Sequence, residues 1–235
     1  MFFDWTYVVY VMPAVLFAMW ASHLVNSTYA KYSQQFNSRG LTAEQAARFV
    51  LDRNGLQNVR IERISGNLTD HFDPQTNIVR LSDSVYGSTS SAAIGVACHE
   101  VGHAIQHAVN YAPIRIRTAI VPITNLGAQL SMPLIIGGLL LSSFSSKLII
   151  LAYLGIVCFG LSTVFQLVTL PTEFDASRRA LKSIEEGNLL LDDELKGAKK
   201  VLTAAALTYV AALAVSAMQL LRFLVIVGSR TRSDD

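Results

Sequence analysis

The chain reads as a mainly α-helical membrane protein with a small α+β soluble part, and three observations carry that reading. Of its 235 residues, 51% are hydrophobic and only 15% are charged, with a mean hydropathy of +0.39; a soluble domain holds nearer a quarter charged residues. Four apolar stretches reach the roughly 20 residues needed to cross a hydrocarbon core of about 30 Å. Between them lie polar segments with the capping, turn and strand signals of a folded domain.

The first apolar stretch runs from about Trp5 to Leu24. Its flank, Met1-Phe2-Phe3-Asp4, carries no Lys or Arg; a cleavable signal peptide starts with basic residues, so a retained anchor is expected. The second, about Thr118 to Leu141, and the third, Leu148 to Leu170, are joined by the short loop Ser142 to Lys147 and form a hairpin. The fourth, about Leu202 to Val227, contains Arg222, which leaves an interfacial helix open beside a true span. The expected organisation is an N-terminal transmembrane anchor over 1–30, a soluble domain over 31–117, a transmembrane hairpin over 118–170, a polar helix over 171–200 and a C-terminal transmembrane or interfacial helix with its tail over 201–235.

Within 31–117, Thr42 and Gln45 have the spacing of a capping box and Asn54-Gly55 supplies a stop, which predicts a helix from Thr42 to Arg53. Val59 to Ile64 and Asn77 to Leu81 are short runs of partial alternation, separated by the turn-rich link Asp70-His71-Phe72-Asp73-Pro74. A small antiparallel sheet is expected from them. Ser90 or Ser91 can cap a long helix through His99 and His103 to about Val109, closed by Pro113. In the second polar region, Thr172 is a suitable N-cap for a helix to Glu186, ahead of the turn at Gly187-Asn188.

Basic residues near the segment ends set the expected orientation. Lys31, Arg39, Arg115, Arg117, Arg178, Arg179, Lys182, Lys199 and Lys200 flank the two polar regions, while the hairpin loop has only Lys147. Both polar regions should therefore face the cytoplasm of a multi-pass cell-membrane protein. Arg230 and Arg232 in the tail would then face outward against the rule, a second reason to keep the interfacial alternative. The basic residues form no dense stripe, so nucleic acid is not an expected partner. Cys98 and Cys158 fall in a soluble helix and a span, and read as small buried hydrophobes rather than a disulfide.

The chemistry concentrates in His99-Glu100-Val101-Gly102-His103. On a helix, residues four apart lie about 40° from each other around the axis, so both imidazoles can reach one ion. Glu100, about 100° from His99, can stand beside that ion and take a proton from water. A catalytic zinc needs a third protein ligand. Position 109 is Val109, which excludes a further histidine six residues beyond His103, and His107 would ask three successive turns of one straight helix to meet at one point. Glu173 is the preferred ligand: two membrane crossings separate it from His103, so both return to the same face. Asp175, about 160° away from Glu173 on a helix, is the competing carboxylate. The structural alternative for Glu173 is an acidic residue complementing a helix N-terminus.

The segment Cys98 to His107, preceded by Asp70-His71-Phe72-Asp73-Pro74 and Val79-Arg80-Leu81-Ser82, resembles the YugP-like family of membrane neutral zinc metallopeptidases over nearly the whole chain. More remotely, two blocks flanking a membrane hairpin are similar to the HtpX and CAAX prenyl protease type of gluzincin, whose second block reads Glu-x-x-Ala-Asp. Here the block is Glu173-Phe174-Asp175-Ala176-Ser177, with Ser where the relatives have the Asp that orients a zinc histidine. Either Asp175 or Ser177 is then the substitute. The resemblance implies a zincin-like soluble domain, one Zn2+ held by His99, His103 and Glu173, and hydrolysis of peptide bonds with Glu100 as the base. It implies peptide or protein substrates, membrane proteins among them, and a bilayer location. An extended substrate is expected to pair with the strand Asn77 to Ser82, and Arg178, Arg179, His71 and Tyr86 are the candidate oxyanion donors. The alternative classes are a membrane scaffold with a structural zinc clamp and a metal transporter. The second and third spans contain no Asp, Glu or His, which counts against transport.

Overall fold

The structure is a computed structural model and describes residues 5–232, with side chains to Arg230. The flank Met1 to Asp4, the side chain of Arg232 and the tail beyond it lie outside the described residues. The chain is mainly α with a small three-stranded sheet. A π-helical turn at Tyr7–Val11 leads into α1 (Met12–Tyr32), followed by α2 (Ala43–Arg53), β1 (Arg60–Ile64), β2 (His71–Asp73), β3 (Ile78–Ser82), α3 (Ser91–Ala108), α4 (Ala112–Leu141), α5 (Ile149–Glu186) and α6 (Asp192–Arg232). Four helical stretches, Tyr7–Tyr32, Ala112–Leu141, Ser146–Glu186 and Asp192–Arg230, are long and apolar enough to cross a membrane.

The chain divides into two compact units. One gathers the chain up to Trp20, Ile116–Leu170 and the chain from Tyr209 on. Its interior holds Ile135, Ala152, Ile156, Phe223 and Val227, while Leu16, Leu126, Ile150, Val157 and Leu167 are exposed, as side chains meant for lipid would be. Arg222 does not weaken the fourth span. It is 6% exposed, its Nε donates to Thr6 Oγ1 at 3.1 Å, and its guanidinium lies over the Tyr7 ring at 5.3 Å. A charge so placed is screened from hydrocarbon and hydrogen-bonded, the condition under which such residues persist in spans.

The other unit comprises Ala21–Arg115 and Pro171–Thr208. Its core joins Val50 and Leu51 of α2, Val79 and Leu81 of β3, Ile94 and Val101 of α3, and Ile184 of α5. The capping box at α2 forms as expected: Thr42 Oγ1 accepts from the Gln45 amide at 3.2 Å and Gln45 Oε1 from the Thr42 amide at 3.1 Å. Ser90 caps α3 by accepting from the Ala93 amide at 3.2 Å.

Three local expectations are corrected. First, the sheet is mixed, in the order β1-β3-β2, with β1 parallel to β3 and β2 antiparallel to it. The link expected to be a turn supplies β2, because its carboxylates satisfy backbone and side-chain donors on either side. Asp70 accepts from the amide and hydroxyl of Ser82 at 2.7 and 2.9 Å, and Asp73 accepts from the Gln75 amide at 2.9 Å and from Arg80 Nη1 at 2.8 Å. The strand expected to receive substrate, Asn77 to Ser82, is therefore central, and β1 and β2 are the two edge strands. Second, α3 ends at Ala108 with Asn110 at φ 54 just past its cap, and Pro113 lies in the first turn of α4 instead of closing α3. Third, α5 continues through Pro171, so Thr172 is no N-cap. Proline removes a single helical donor, and burial of Ala176, Ala180 and Ile184 beyond it holds the following turns in register.

Candidate metal centre

On α3, His99 and His103 lie on one face with side chains 13% and 12% exposed, and opposite them α5 delivers Glu173, whose side chain is 4% exposed. Glu173 Oε2 stands 3.2 Å from His99 Nε2 and 3.4 Å from His103 Nε2. The imidazoles meet edge to face with centroids 4.8 Å apart, and the three donor atoms all fall within 4.8 Å of one another. Because α5 is continuous, Glu173 sits mid-helix and is no first-turn acid, so the helix-dipole reading of this residue loses its basis.

The two helices approach this closely because of Gly102. A Cβ there would stand 2.5 Å from the carbonyl oxygen of Ala176 and 3.1 Å from its Cα, and backbone atoms inside two helices have little room to yield. Gly102→Ala should separate α3 from α5, destabilising the unit by about 1–3 kcal/mol and weakening zinc retention. Thermal unfolding and a chelator competition check both; an unchanged zinc affinity would show that the close approach is dispensable.

Behind the imidazoles, each Nδ1 has a different support. His99 Nδ1 lies 3.0 Å from Ser177 Oγ, and His103 Nδ1 lies 3.0 Å from Gln106 Oε1. The Gln106 amide nitrogen donates to the Thr172 carbonyl at 2.8 Å and to Asp175 Oδ2 at 3.0 Å, two groups that only accept. Its orientation is thereby fixed, so His103 must carry its proton on Nδ1 and present a lone pair on Nε2. That lone pair faces the carboxylate of Glu173, an arrangement that calls for a cation between them. Burial lowers the His103 pKa, but its hydrogen bond to Glu173 and the charges of Glu100 and Glu173 outweigh that and raise the pKa overall. With two imidazole Nε2 atoms, one carboxylate and hydrogen-bonded rings behind them, the donor set suits zinc.

Gln106 is fully buried, so Gln106→Leu should lower zinc affinity by about 10–100-fold through loss of ring orientation. Titration against a chromophoric chelator measures it, and an affinity equal to that of the native chain would exclude the role.

Glu100 is 9% exposed and reaches across to the sheet, where its Oε2 accepts the amide of Phe72 at 3.0 Å. The other residues singled out in the sequence sort as follows. Asp175 lies outside the candidate donor group; it accepts from Gln106, Arg178 and, at 2.6 Å, Arg179 Nε. Asp175 and Ser177 thus divide the task of steadying the rings, Ser177 at His99 and Asp175 through Gln106 at His103. His107 packs against Phe72 with centroids 5.5 Å apart, outside the donor group. Cys98 is fully buried and its thiol is pushed up to about 12, which suits an inert hydrophobe. Of the candidate oxyanion donors, Arg178 and Arg179 are engaged by Asp175, Tyr86 hydrogen-bonds Glu44, and the His71 nitrogens meet the Thr69 carbonyl at 2.9 Å and Arg80 Nη1 at 3.5 Å. Sequence reading missed Gly102, Gln106 and the Phe72 amide. The one legible signal was Gln106, a polar residue three positions beyond His103 on the same face of an apolar helix.

A helical histidine pair facing a buried carboxylate, in a chain with four membrane-length helices, defines a membrane protein with a group that could hold a metal ion. Comparison with known proteins agrees. The family model described as "Putative neutral zinc metallopeptidase" matches residues 7–228, and the chain belongs to that family. It is similar to "Putative membrane protease YugP" of Bacillus subtilis (strain 168), at 45% identity over 215 residues that cover 92% of this chain and 93% of the relative. No solved structure matches the chain.

Proposed function

We propose that this protein is an integral-membrane zinc endopeptidase that hydrolyses peptide bonds from the cytoplasmic face, with His99, His103 and Glu173 as ligands of one zinc ion and Glu100 as general base. The observation that carries the reading is the convergence of two imidazole Nε2 atoms and one carboxylate oxygen, with a second buried carboxylate anchored beside them. When bound, zinc supplies Lewis acidity, polarising the scissile carbonyl and acidifying water.

The rest of the chemistry belongs to the chain. The Phe72 amide occupies Glu100 Oε2 and leaves Oε1 to receive the proton of the attacking water as oxygen bonds to the carbonyl carbon. As the carbon–nitrogen bond breaks, the same Oε1 returns that proton to the departing amine. Ser177 and Gln106 keep the imidazoles pointed at their common target. The Phe72 amide of edge strand β2 is held by Glu100, so an extended peptide lying along β2 would pass beside Glu100 and pair with the strand's remaining backbone groups, a mode tolerant of sequence. Protein segments emerging from the bilayer are the substrates this location favours.

Purified full-length protein in detergent should cleave an unfolded substrate such as casein, lose that activity to a zinc chelator and regain it with stoichiometric zinc. Zinc bound at one per chain with no cleavage of casein or of a panel of membrane-protein fragments would favour a structural clamp instead.

A further inference from the structure

At the polar ends of the first and fourth apolar segments, α1 and α6 border an open groove of about 650 Å³. Lys31 of α1 and Lys196, Lys199 and Lys200 of α6 line it, while Leu24 and Leu207 form apolar wall. No Asp or Glu is among its lining residues. Lys196 reaches Asp193 Oδ1 at 2.9 Å, whereas Lys31, Lys199 and Lys200 have no ion-pair partner among the described residues. The ammonium groups of Lys31 and Lys200 both lie over the ring of Tyr32, 5.5 and 5.8 Å from its centroid. Each gains from the ring, but the two positive charges repel, and an anion seated between them would turn that repulsion into attraction.

We propose that this groove binds an anionic phospholipid, with the lysines holding the headgroup phosphate and the acyl chains leaving along Leu24 and Leu207. Charge complementarity selects an anion. The apolar wall selects a lipid over free phosphate, which would leave Leu24 and Leu207 facing water. Both helices lie at the ends of membrane-length apolar segments, where lysines meet headgroups. The site is independent of hydrolysis and uses none of the metal-centre residues.

Native mass spectrometry of the delipidated full chain, mixed with phosphatidylglycerol or with phosphatidylcholine of the same acyl chains, tests it. The native protein should retain one phosphatidylglycerol and strongly prefer it to phosphatidylcholine. Lys31→Gln with Lys200→Gln should weaken that retention about thirtyfold, the loss expected for two lysines, with unfolding temperature and zinc content unchanged. Lys147→Gln with Lys182→Gln, an equal charge change outside the groove, should retain the lipid. Equal retention of the two lipids, undiminished retention by the groove variant or equal losses in both variants would overturn the proposal. Release of the lipid by excess inorganic phosphate would also do so, assigning the groove to a soluble anion.

Discussion

Glu100→Gln is expected to bind one zinc per chain and to hydrolyse casein about 10²- to 10⁴-fold more slowly than the native protein. The substitution keeps the shape of the side chain, and its amide oxygen can still accept the Phe72 amide that Glu100 Oε2 accepts at 3.0 Å. What it removes is the basic oxygen that, in the proposed mechanism, takes and returns the proton. The three donor atoms of the centre are untouched, so metal content measured by elemental analysis should equal that of the native chain. Hydrolysis at the native rate would remove Glu100 from the mechanism. Loss of zinc would show that Glu100 belongs to the coordination sphere, against its position beside the sheet.

Glu173→Ala should have the largest effect on metal content. The carboxylate is the only anionic member of the donor group and lies within 3.2 and 3.4 Å of the two imidazole nitrogens. Without it, two neutral imidazoles remain, and zinc affinity should fall by more than the roughly 10–100-fold expected for a supporting residue such as Gln106. Zinc content after dialysis against a moderate chelator is the measurement. Native stoichiometry would move the third ligand to Asp175 or His107, although Asp175 is held by Arg178 and Arg179 and His107 packs on Phe72. A folded variant, checked by its unfolding temperature, keeps the result interpretable.

These positions differ in how far the sequence disclosed them. The spacing of His99 and His103 is a local property of a helix, and the parity of two crossings narrowed the return of the carboxylate to one face. Both features could be read without knowing any distance. The capping box of α2 was equally local. What escaped was set by contacts between segments remote in sequence. Gly102 looks like a variable position inside the motif until Ala176 is placed against it. β2 looks like a turn until Asp70 and Asp73 are seen satisfying donors on β3 and its preceding turn. Pro171 reads as a boundary because its local effect is to interrupt, yet buried residues beyond it keep α5 whole. Asp175 and Ser177 could not be ranked as supports because the answer involved a third residue, Gln106.

That third residue shapes how electron-poor a bound ion would be. A carboxylate placed directly behind His103 would make the imidazole a stronger donor and add negative charge close to the metal. Here the residue behind His103 is a neutral amide, and the negative charge stands one link farther back on Asp175, where two guanidinium groups offset it. Electron supply to an ion held there would thereby be restrained, and such an ion would be the more strongly electrophilic.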